Sequence, residues 1–138
     1  MKKLIYTTAV VLLLGGIASG QSLEKGNLVG THVISVELKA GVTMEKWQKF
    51  VVEKYIPELE KNYEGFKIYL LKGIRGPNAN SLGFIWVIKS EKERDKYFNA
   101  DGSENELGLV IQEKLVPVME ELEKLGPFTY EYTDWIVL

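Results

Sequence analysis

Alternation of apolar and polar residues predicts four β-strands in this chain. Between Thr31 and Lys39, one face of an extended segment carries His32, Ile34, Val36 and Leu38, and the other carries Thr31, Val33, Ser35 and Glu37. Further strands are predicted over residues 66–75, 82–89 and 128–138. Turn-forming residues at 76–80 separate the second strand from the third, which predicts a hairpin there.

Apolar residues at helical spacing predict a long first helix. Thr43 is the expected N-cap, because a threonine hydroxyl can accept a hydrogen bond from an amide of the first turn. The apolar positions that follow are Trp47, Phe50, Val51, Tyr55, Leu59 and Tyr63. Pro57 lies inside this helix and cannot donate to the carbonyl of Glu53, so we expect a kink or a break at that point.

Two further helices are predicted from capping boxes. Ser90 and Ser103 are each followed three residues later by a glutamate, the pattern in which two side chains satisfy the first amides of a helix. The helix after Ser90 is short and continues to Phe98. The helix after Ser103 continues to Leu125 with Pro117 inside it, and a Gly-Pro pair ends it.

The third strand differs from the others because both of its faces are apolar. One face carries Leu82, Phe84, Trp86 and Ile88, and the other carries Ile85 and Val87. Such a strand belongs at the centre of a sheet that is covered on both sides. The element order is that of the α+β, ferredoxin-like βαββαβ fold, an antiparallel four-stranded sheet with its helices on one face and strands one and three in the middle. Because two helices cover one face only, we expect a second copy to cover the other in a homodimer.

The first twenty residues have a composition unlike the rest. A basic start, an apolar stretch from Leu4 to Ile17 and the small residues at 18–20 predict a signal peptide over residues 1–20, cleaved near Gly20. An uncleaved membrane anchor is the alternative, although the apolar stretch is short for a membrane span. Residues 21–29 are predicted to be a flexible leader, and residues 30–138 to form one domain. We therefore expect a periplasmic or secreted protein with no membrane contact after cleavage.

Charge and composition exclude several classes of function. Removal of Lys2 and Lys3 with the signal peptide lowers the formal net charge from -2 to -4, and the chain shows no basic stripe for nucleic acid. The chain has no cysteine and one histidine, so thiol catalysis and thiolate metal sites are excluded and no metal site is expected. No phosphate loop, dinucleotide fingerprint or nucleophile elbow is present, so we expect no cofactor.

Residues 30–138 resemble the dimeric α+β barrel superfamily, which includes antibiotic-biosynthesis monooxygenases, NIPSNAP and EthD-like proteins and stress-responsive A/B barrels. THVISVELKAG, residues 31–41, is similar to the first strand of A/B barrels, which a histidine often opens. GVTMEKWQKFVVEKYIPELEK, residues 41–61, is similar to the first helix of EthD-type proteins, with Tyr55 in place of the histidine of their His-x-Pro. Haem-degrading relatives carry a histidine on the second long helix. Residues 107–125 contain none, so no haem is expected.

His32 is the candidate general base, because an unperturbed imidazole titrates close to neutral pH. Antiparallel pairing of the first and last strands would bring Asp134 near it, and we interpret Asp134 as the candidate orienting carboxylate. The alternative is that His32 is a structural polar residue at the end of a strand.

Aromatic side chains are the candidate ligand contacts. They are Tyr55, Tyr69, Trp86, Tyr130 and Tyr132. Rings with a polar tip suit a pocket for a flat, partly apolar ligand, and they suit a dimer interface equally well. The charge-rich segments at 91–98 and 120–126 are interpreted as solvated helix faces.

The resulting expectation is an exported homodimeric α+β barrel that binds or transforms a small, partly aromatic or apolar organic molecule without a metal. As an enzyme it would resemble the cofactor-independent monooxygenases, with His32 as base and tyrosine hydroxyls stabilising an oxyanion. The alternative is a non-catalytic ligand-binding or stress-response barrel.

Overall fold

The computed structural model describes residues 22–138 as one four-stranded antiparallel sheet with helices on one side. The elements are β1 (Leu28–Val36), α1 (Met44–Phe50), a π-helical turn (Val51–Tyr55), α2 (Ile56–Asn62), β2 (Phe66–Lys72), β3 (Leu82–Ile88), α3 (Glu91–Arg94), α4 (Glu106–Leu125) and β4 (Phe128–Ile136). The strand order is β2-β3-β1-β4, so β1 and β3 are central. The predicted α+β architecture and strand order are confirmed.

The sheet begins earlier in the chain than the alternation indicated. β1 starts at Leu28, and Leu28 and Val29 are both buried, so the end of the expected leader over residues 21–29 belongs to the sheet. The Asn27 side chain also donates to the carbonyl of Lys89 at 3.0 Å, which ties the entry of β1 to the end of β3. The predicted signal peptide, residues 1–20, lies outside the described residues.

The helix caps agree with the sequence at two of three positions. The hydroxyls of Thr43 and Ser90 each accept a hydrogen bond of 3.2 Å from the backbone amide three residues later, as predicted. The prediction of Ser103 as the cap of α4 is wrong, because its hydroxyl bonds to Asp101 at 2.6 Å. Asn105 caps α4 instead, accepting from the amide of Gly108 at 3.1 Å.

Pro57 is accommodated by a π-helical turn rather than by a broken helix. The amide of Ile56 donates to the carbonyl of Val51, five residues back. The π-helical turn ends there, and Pro57 lies in the first turn of α2, where a missing amide proton leaves no helix bond unmade. A π-helical turn inserts one extra residue into the helical ladder. The inserted turn contains Tyr55, whose ring packs against Phe84 and Phe128 of the sheet.

The core lies between the helix-facing side of the sheet and the first helical segment. Trp47 and Val51 are fully buried, and the Trp47 indole donates to the carbonyl of Gly126 at 2.9 Å. This bond ties α1 to the end of α4, and it satisfies the indole nitrogen of a residue that belongs to the core. From β2 and β3, the buried side chains are Phe66, Ile68, Leu82, Phe84 and Ile88.

Candidate functional site

A cavity of about 590 Å³ lies between the sheet and α4. α4 packs mainly on α1, the π-helical turn and α2, and it makes few contacts with the sheet. As a result the helix-facing side chains of β4 are not covered: Tyr130 is 58% exposed and Tyr132 is 46% exposed. The opening between α4 and β4 forms the mouth of the cavity.

His32 lies in the wall of this cavity, surrounded by aromatic rings. The centroid of its imidazole is 5.2 Å from Trp86, 5.5 Å from Tyr130 and 5.7 Å from Tyr132. Burial lowers the pKa of His32 below its usual value because it penalises the imidazolium, while the Asp134 carboxylate acts in the opposite direction. The ring is therefore neutral at pH 7, the form that accepts a proton.

Two polar atoms of the wall have no hydrogen-bond partner among the described residues. They are Nδ1 of His32 and Nε1 of Trp86, and both are buried. A buried polar atom without a partner carries a free-energy cost, so such atoms are uncommon away from functional sites. Both residues line the cavity.

Asp134 also lines the cavity, but it does not orient His32. In the register of β1 and β4, Asp134 is opposite Gly30 while His32 is opposite Tyr132. The carboxylate is bound by Arg94, whose Nε lies 3.3 Å from Oδ2 of Asp134. His32 and Asp134 line one cavity, and the sequence analysis missed the arginine that binds the carboxylate.

Arg94 is largely shielded from solvent in this site, and its interpretation as part of a solvated face is wrong. Its side chain is 11% exposed, and Nη1 donates to the carbonyl of Asn99 at 2.7 Å and to Asp95 at 3.3 Å. The guanidinium also lies 5.5 Å from the centre of the Phe98 ring. Two aromatic residues close to Arg94 in the sequence, Tyr97 and Phe98, were a signal that this segment turns toward the core.

Two glycines that the sequence analysis passed over shape the cavity. A Cβ at Gly30 would lie 3.1 Å from Oδ1 of Asp134 and 3.4 Å from Cε1 of His32, so the space between these groups exists because residue 30 has no side chain. Gly102 has φ of +86° and packs directly against the Tyr132 hydroxyl, which closes one end of the cavity. A glycine inside a strand pattern is a sign of such close approach.

Tyr55 and Tyr63 bring protonated hydroxyl groups to the helix side of the cavity. Burial, reinforced by the neighbouring Tyr130 and Tyr63, raises the pKa of Tyr55 to about 12. Burial also raises the pKa of Tyr63 to about 12, with Glu104 adding to the effect. Both phenols therefore remain hydrogen-bond donors well above neutral pH. Tyr63 had been interpreted as an apolar helix position only.

Of the predicted ligand contacts, four line the cavity and one does not. Tyr55, Trp86, Tyr130 and Tyr132 are in its wall. The prediction for Tyr69 is wrong, because this residue is opposite Ile85 on the other face of the sheet, where it is 49% exposed. The neighbours of Tyr69 in β2, Ile68 and Leu70, point toward the helices, so the alternation of the strand sends Tyr69 away from them.

Acidic side chains also contribute to the cavity. Glu120 and Glu123 of α4 are exposed, as expected for a solvated helix face, and they line the mouth at the same time. Glu104 lines the wall and accepts a short hydrogen bond from the amide group of Gln112.

Within residues 22–138, no group of three or more His, Asp or Glu side chains could hold a metal ion. In the same range, no helix has the length and hydrophobicity needed to cross a membrane.

Comparison with known proteins identifies the fold. No protein-family model matches the chain, and no curated protein does. A solved structure of a NIPSNAP family protein of unknown function from Agrobacterium tumefaciens strain C58 aligns with a TM-score of 0.53 at 12% identity, covering 83% of this chain and 91% of that one. The two chains share an α+β fold built on a four-stranded antiparallel sheet. At this identity the likeness shows the fold alone.

Two other solved structures align over a similar range. SnoaB, a cofactor-independent oxygenase from Streptomyces nogalater, has a TM-score of 0.49 at 13% identity, over 82% of this chain and 94% of that one. A dimeric protein of unknown function with a ferredoxin-like fold, from Bacteroides fragilis NCTC 9343, has a TM-score of 0.43 at 9% identity, over 82% of this chain and 98% of that one.

Proposed function

We propose that this α+β barrel protein binds a small, flat, partly apolar organic molecule in the cavity between the sheet and α4. The observation that carries the proposal is the environment of His32, a neutral imidazole enclosed by three aromatic rings with one ring nitrogen left without a partner. A concave, mainly apolar site with a few polar groups is the usual form of a small-molecule site. The volume of about 590 Å³ is in the range of such sites.

Binding is tested by calorimetric titration of the purified protein with 2-naphthylmethanol, a flat neutral probe. Tyr132→Ala removes an aromatic ring of the cavity wall and should weaken binding about tenfold, the scale of a lost ring contact. Tyr69→Ala is the matched control, because Tyr69 has a similar exposed fraction on the other face of the sheet, and it should leave the affinity unchanged. Equal loss in both variants, or no binding by the parent protein, would refute the proposal.

Catalysis by His32 is the finer proposal, in the form of proton abstraction from a bound phenol without a metal. The lowered pKa of His32 and the protonated hydroxyls of Tyr55 and Tyr63 support it, since a base and oxyanion donors face one cavity. Oxygen uptake with naphthalene-1,4-diol tests it, because the deprotonated diol gives two electrons to O2, which becomes hydrogen peroxide as the diol becomes 1,4-naphthoquinone. The protein should accelerate uptake over buffer, and His32→Gln should abolish the acceleration while 2-naphthylmethanol still binds.

A non-catalytic binding protein is the second candidate function. One observation favours it, because Arg94 binds the Asp134 carboxylate and His32 has no hydrogen bond to an orienting acid. Binding of 2-naphthylmethanol without any acceleration of oxygen uptake would support this candidate over catalysis.

The homodimer is proposed from the face of the sheet opposite the helices. That face carries a row in which Val87 and Val29 are buried, next to exposed apolar residues. The exposed residues are Val33 at 41%, Tyr69 at 49%, Leu71 at 45% and Trp135 at 59%. A second copy of the chain covers these side chains in the proposed dimer, since exposed apolar patches usually mark interaction sites.

Light scattering coupled to size exclusion tests the dimer. Val33→Glu places a charge at the centre of this face and should convert the dimer to a monomer. Val52→Glu is the matched control, because Val52 is 53% exposed on the helical layer, and it should leave the mass unchanged. A monomeric parent protein at micromolar concentration would refute the proposed dimer.

Export to the periplasm or medium is proposed from residues 1–20 alone. Expression of the full chain followed by fractionation and intact mass measurement tests it. A mature protein that begins after Gly20 in the exported fraction is expected, and full-length protein in the membrane fraction would support the anchor instead.

A further inference from the structure

The charges around the cavity are unbalanced toward the negative. Within residues 22–138, the charged side chains of the lining are one cation, Arg94, and four carboxylates, Asp134, Glu104, Glu120 and Glu123. With His32 neutral, the lining has a formal charge of -3 at pH 7. A ligand in this cavity therefore enters a negative potential, which low-dielectric aromatic walls strengthen.

Arg94 offsets this potential only in part for an anionic ligand, because two of its three guanidinium nitrogens are occupied. Its Nε is paired with Asp134 at 3.3 Å, and its Nη1 contacts Asp95 at 3.3 Å and the Asn99 carbonyl at 2.7 Å. Two carboxylates therefore lie against one guanidinium. A ligand carboxylate that approached Arg94 would lie beside both of them.

The aromatic wall also favours a cationic ligand over an anionic one. Tyr130 and Tyr132 leave large fractions of their surface open toward the mouth, 58% and 46%, and Trp86 lies behind them in the wall. The face of an aromatic ring carries partial negative charge and attracts cations within about 6 Å of its centre. Glu120 and Glu123 of α4 line the same mouth from the other side.

We propose that the cavity selects flat organic molecules that carry a cationic nitrogen, such as a primary ammonium group, over the corresponding carboxylic acids. The apolar body lies against Trp86 and Tyr132, and the ammonium group lies between Tyr130 and the two glutamates of α4. This inference rests on the proposed ligand-binding function and specifies the class of ligand.

The test compares three probes of one shape that differ in charge at pH 7. 2-Naphthylmethylamine is cationic, 2-naphthylmethanol is neutral and 2-naphthoate is anionic. Calorimetric titration of the full mature protein should give the tightest binding for the amine and the weakest for the carboxylate, with a ratio of about tenfold between the two. The ratio should shrink in 0.5 M salt, because the glutamates at the mouth are exposed to solvent.

A pair of matched variants locates the effect. The double substitution Glu120→Gln and Glu123→Gln should reduce the amine-to-carboxylate ratio to about threefold while leaving the affinity for the neutral probe unchanged. The double substitution Glu113→Gln and Glu121→Gln changes the net charge of the same helix equally at positions outside the cavity lining, and it should leave the ratio unchanged.

The outcomes separate this inference from the proposed function. If the three probes bind with equal affinity, or if the carboxylate binds most tightly, the charge preference is refuted and the binding function stands. If both double variants lower the ratio equally, the long-range charge of the protein is responsible and the proposed placement of the ammonium is refuted. If none of the three probes binds, both proposals fail.

Discussion

The two edge strands of the sheet, β2 and β4, differ in how well the helices cover their helix-facing side chains. On β2, the helix-facing residues Phe66 and Ile68 are 2% and 3% exposed, covered by the first helical segment. On β4, the helix-facing residues Tyr130 and Ile136 are 58% and 49% exposed, because α4 does not reach the strand. One edge of the sheet is filled core, and the other is the wall of a cavity.

One backbone amide on the edge of β2 is also bound by a side chain. The amide of Ile68 donates to Oε1 of Glu60 at 2.8 Å, and the other carboxylate oxygen pairs with Lys67 at 3.0 Å. An edge amide bound in this way cannot pair with another strand, which is one means of protecting a sheet edge. We therefore expect the β2 side to contribute more to stability. His32, Asp134 and the exposed aromatic rings lie toward β4, where a ligand can reach them.

Replacing one isoleucine on each edge strand with alanine should give the greatest difference in the free energy of unfolding. Ile68→Ala should lower the free energy of unfolding by about 2–4 kcal/mol, the usual cost of a buried large-to-small change. Ile136→Ala should lower it by less than about 1 kcal/mol because much of that side chain is already in solvent. Urea unfolding at one fixed protein concentration measures both. Equal losses would show that Ile136 is as well buried as Ile68 in solution, so that the two edge strands do not differ in burial.

A smaller effect is expected from exposing the edge of β2. Glu60→Ala removes the acceptor of the Ile68 amide and should cost about 1–2 kcal/mol, since hydrogen bonds to charged groups are the stronger ones. Glu58→Ala serves as the control, because Glu58 makes an exposed pair with Lys61 at 3.4 Å within the same helix, and such pairs contribute less than about 1 kcal/mol. If the two variants lose the same stability, Glu60 does not protect the edge.

The fold could be predicted from the sequence because it depends on periodicity. The alternation around Ile34 and the apolar faces of β3 follow from the pleat of a strand, and the central position of β3 follows from its burial needs. The same alternation also placed Tyr69 away from Ile68. Its assignment to the cavity failed because an aromatic side chain was given more weight than the face on which it lies.

The site was predicted only in part, because its geometry depends on contacts between distant segments. His32 and Asp134 could be brought together from strand pairing, but their register, which puts His32 opposite Tyr132, depends on the whole sheet. Tyr97 and Phe98 indicate that the segment after β3 turns toward the core, but the pairing of Arg94 with Asp134 depends on how the chain turns there and does not follow from the pattern. Gly30 contributes to the cavity because it has no side chain to fill the space beside Asp134 and His32. Which groups surround a glycine cannot be read from the sequence.

The smallest expected effect is a pH dependence of stability from His32. Its pKa in the folded protein is lowered by burial, so between that value and about 6.5, the usual value, the unfolded chain binds more protons than the folded one. The contribution of the neutral imidazole is therefore fully present above about pH 6.5 and is lost as the pH falls below it.

Because His32 is the single histidine of the chain, the difference between the parent protein and His32→Gln isolates this contribution. Urea midpoints from pH 5 to 7.5 should fall more steeply toward acid in the parent than in the variant. Parallel curves would mean that the imidazole is as well hydrated as in the unfolded chain, and the β4 side of the sheet would then be an open surface rather than a cavity.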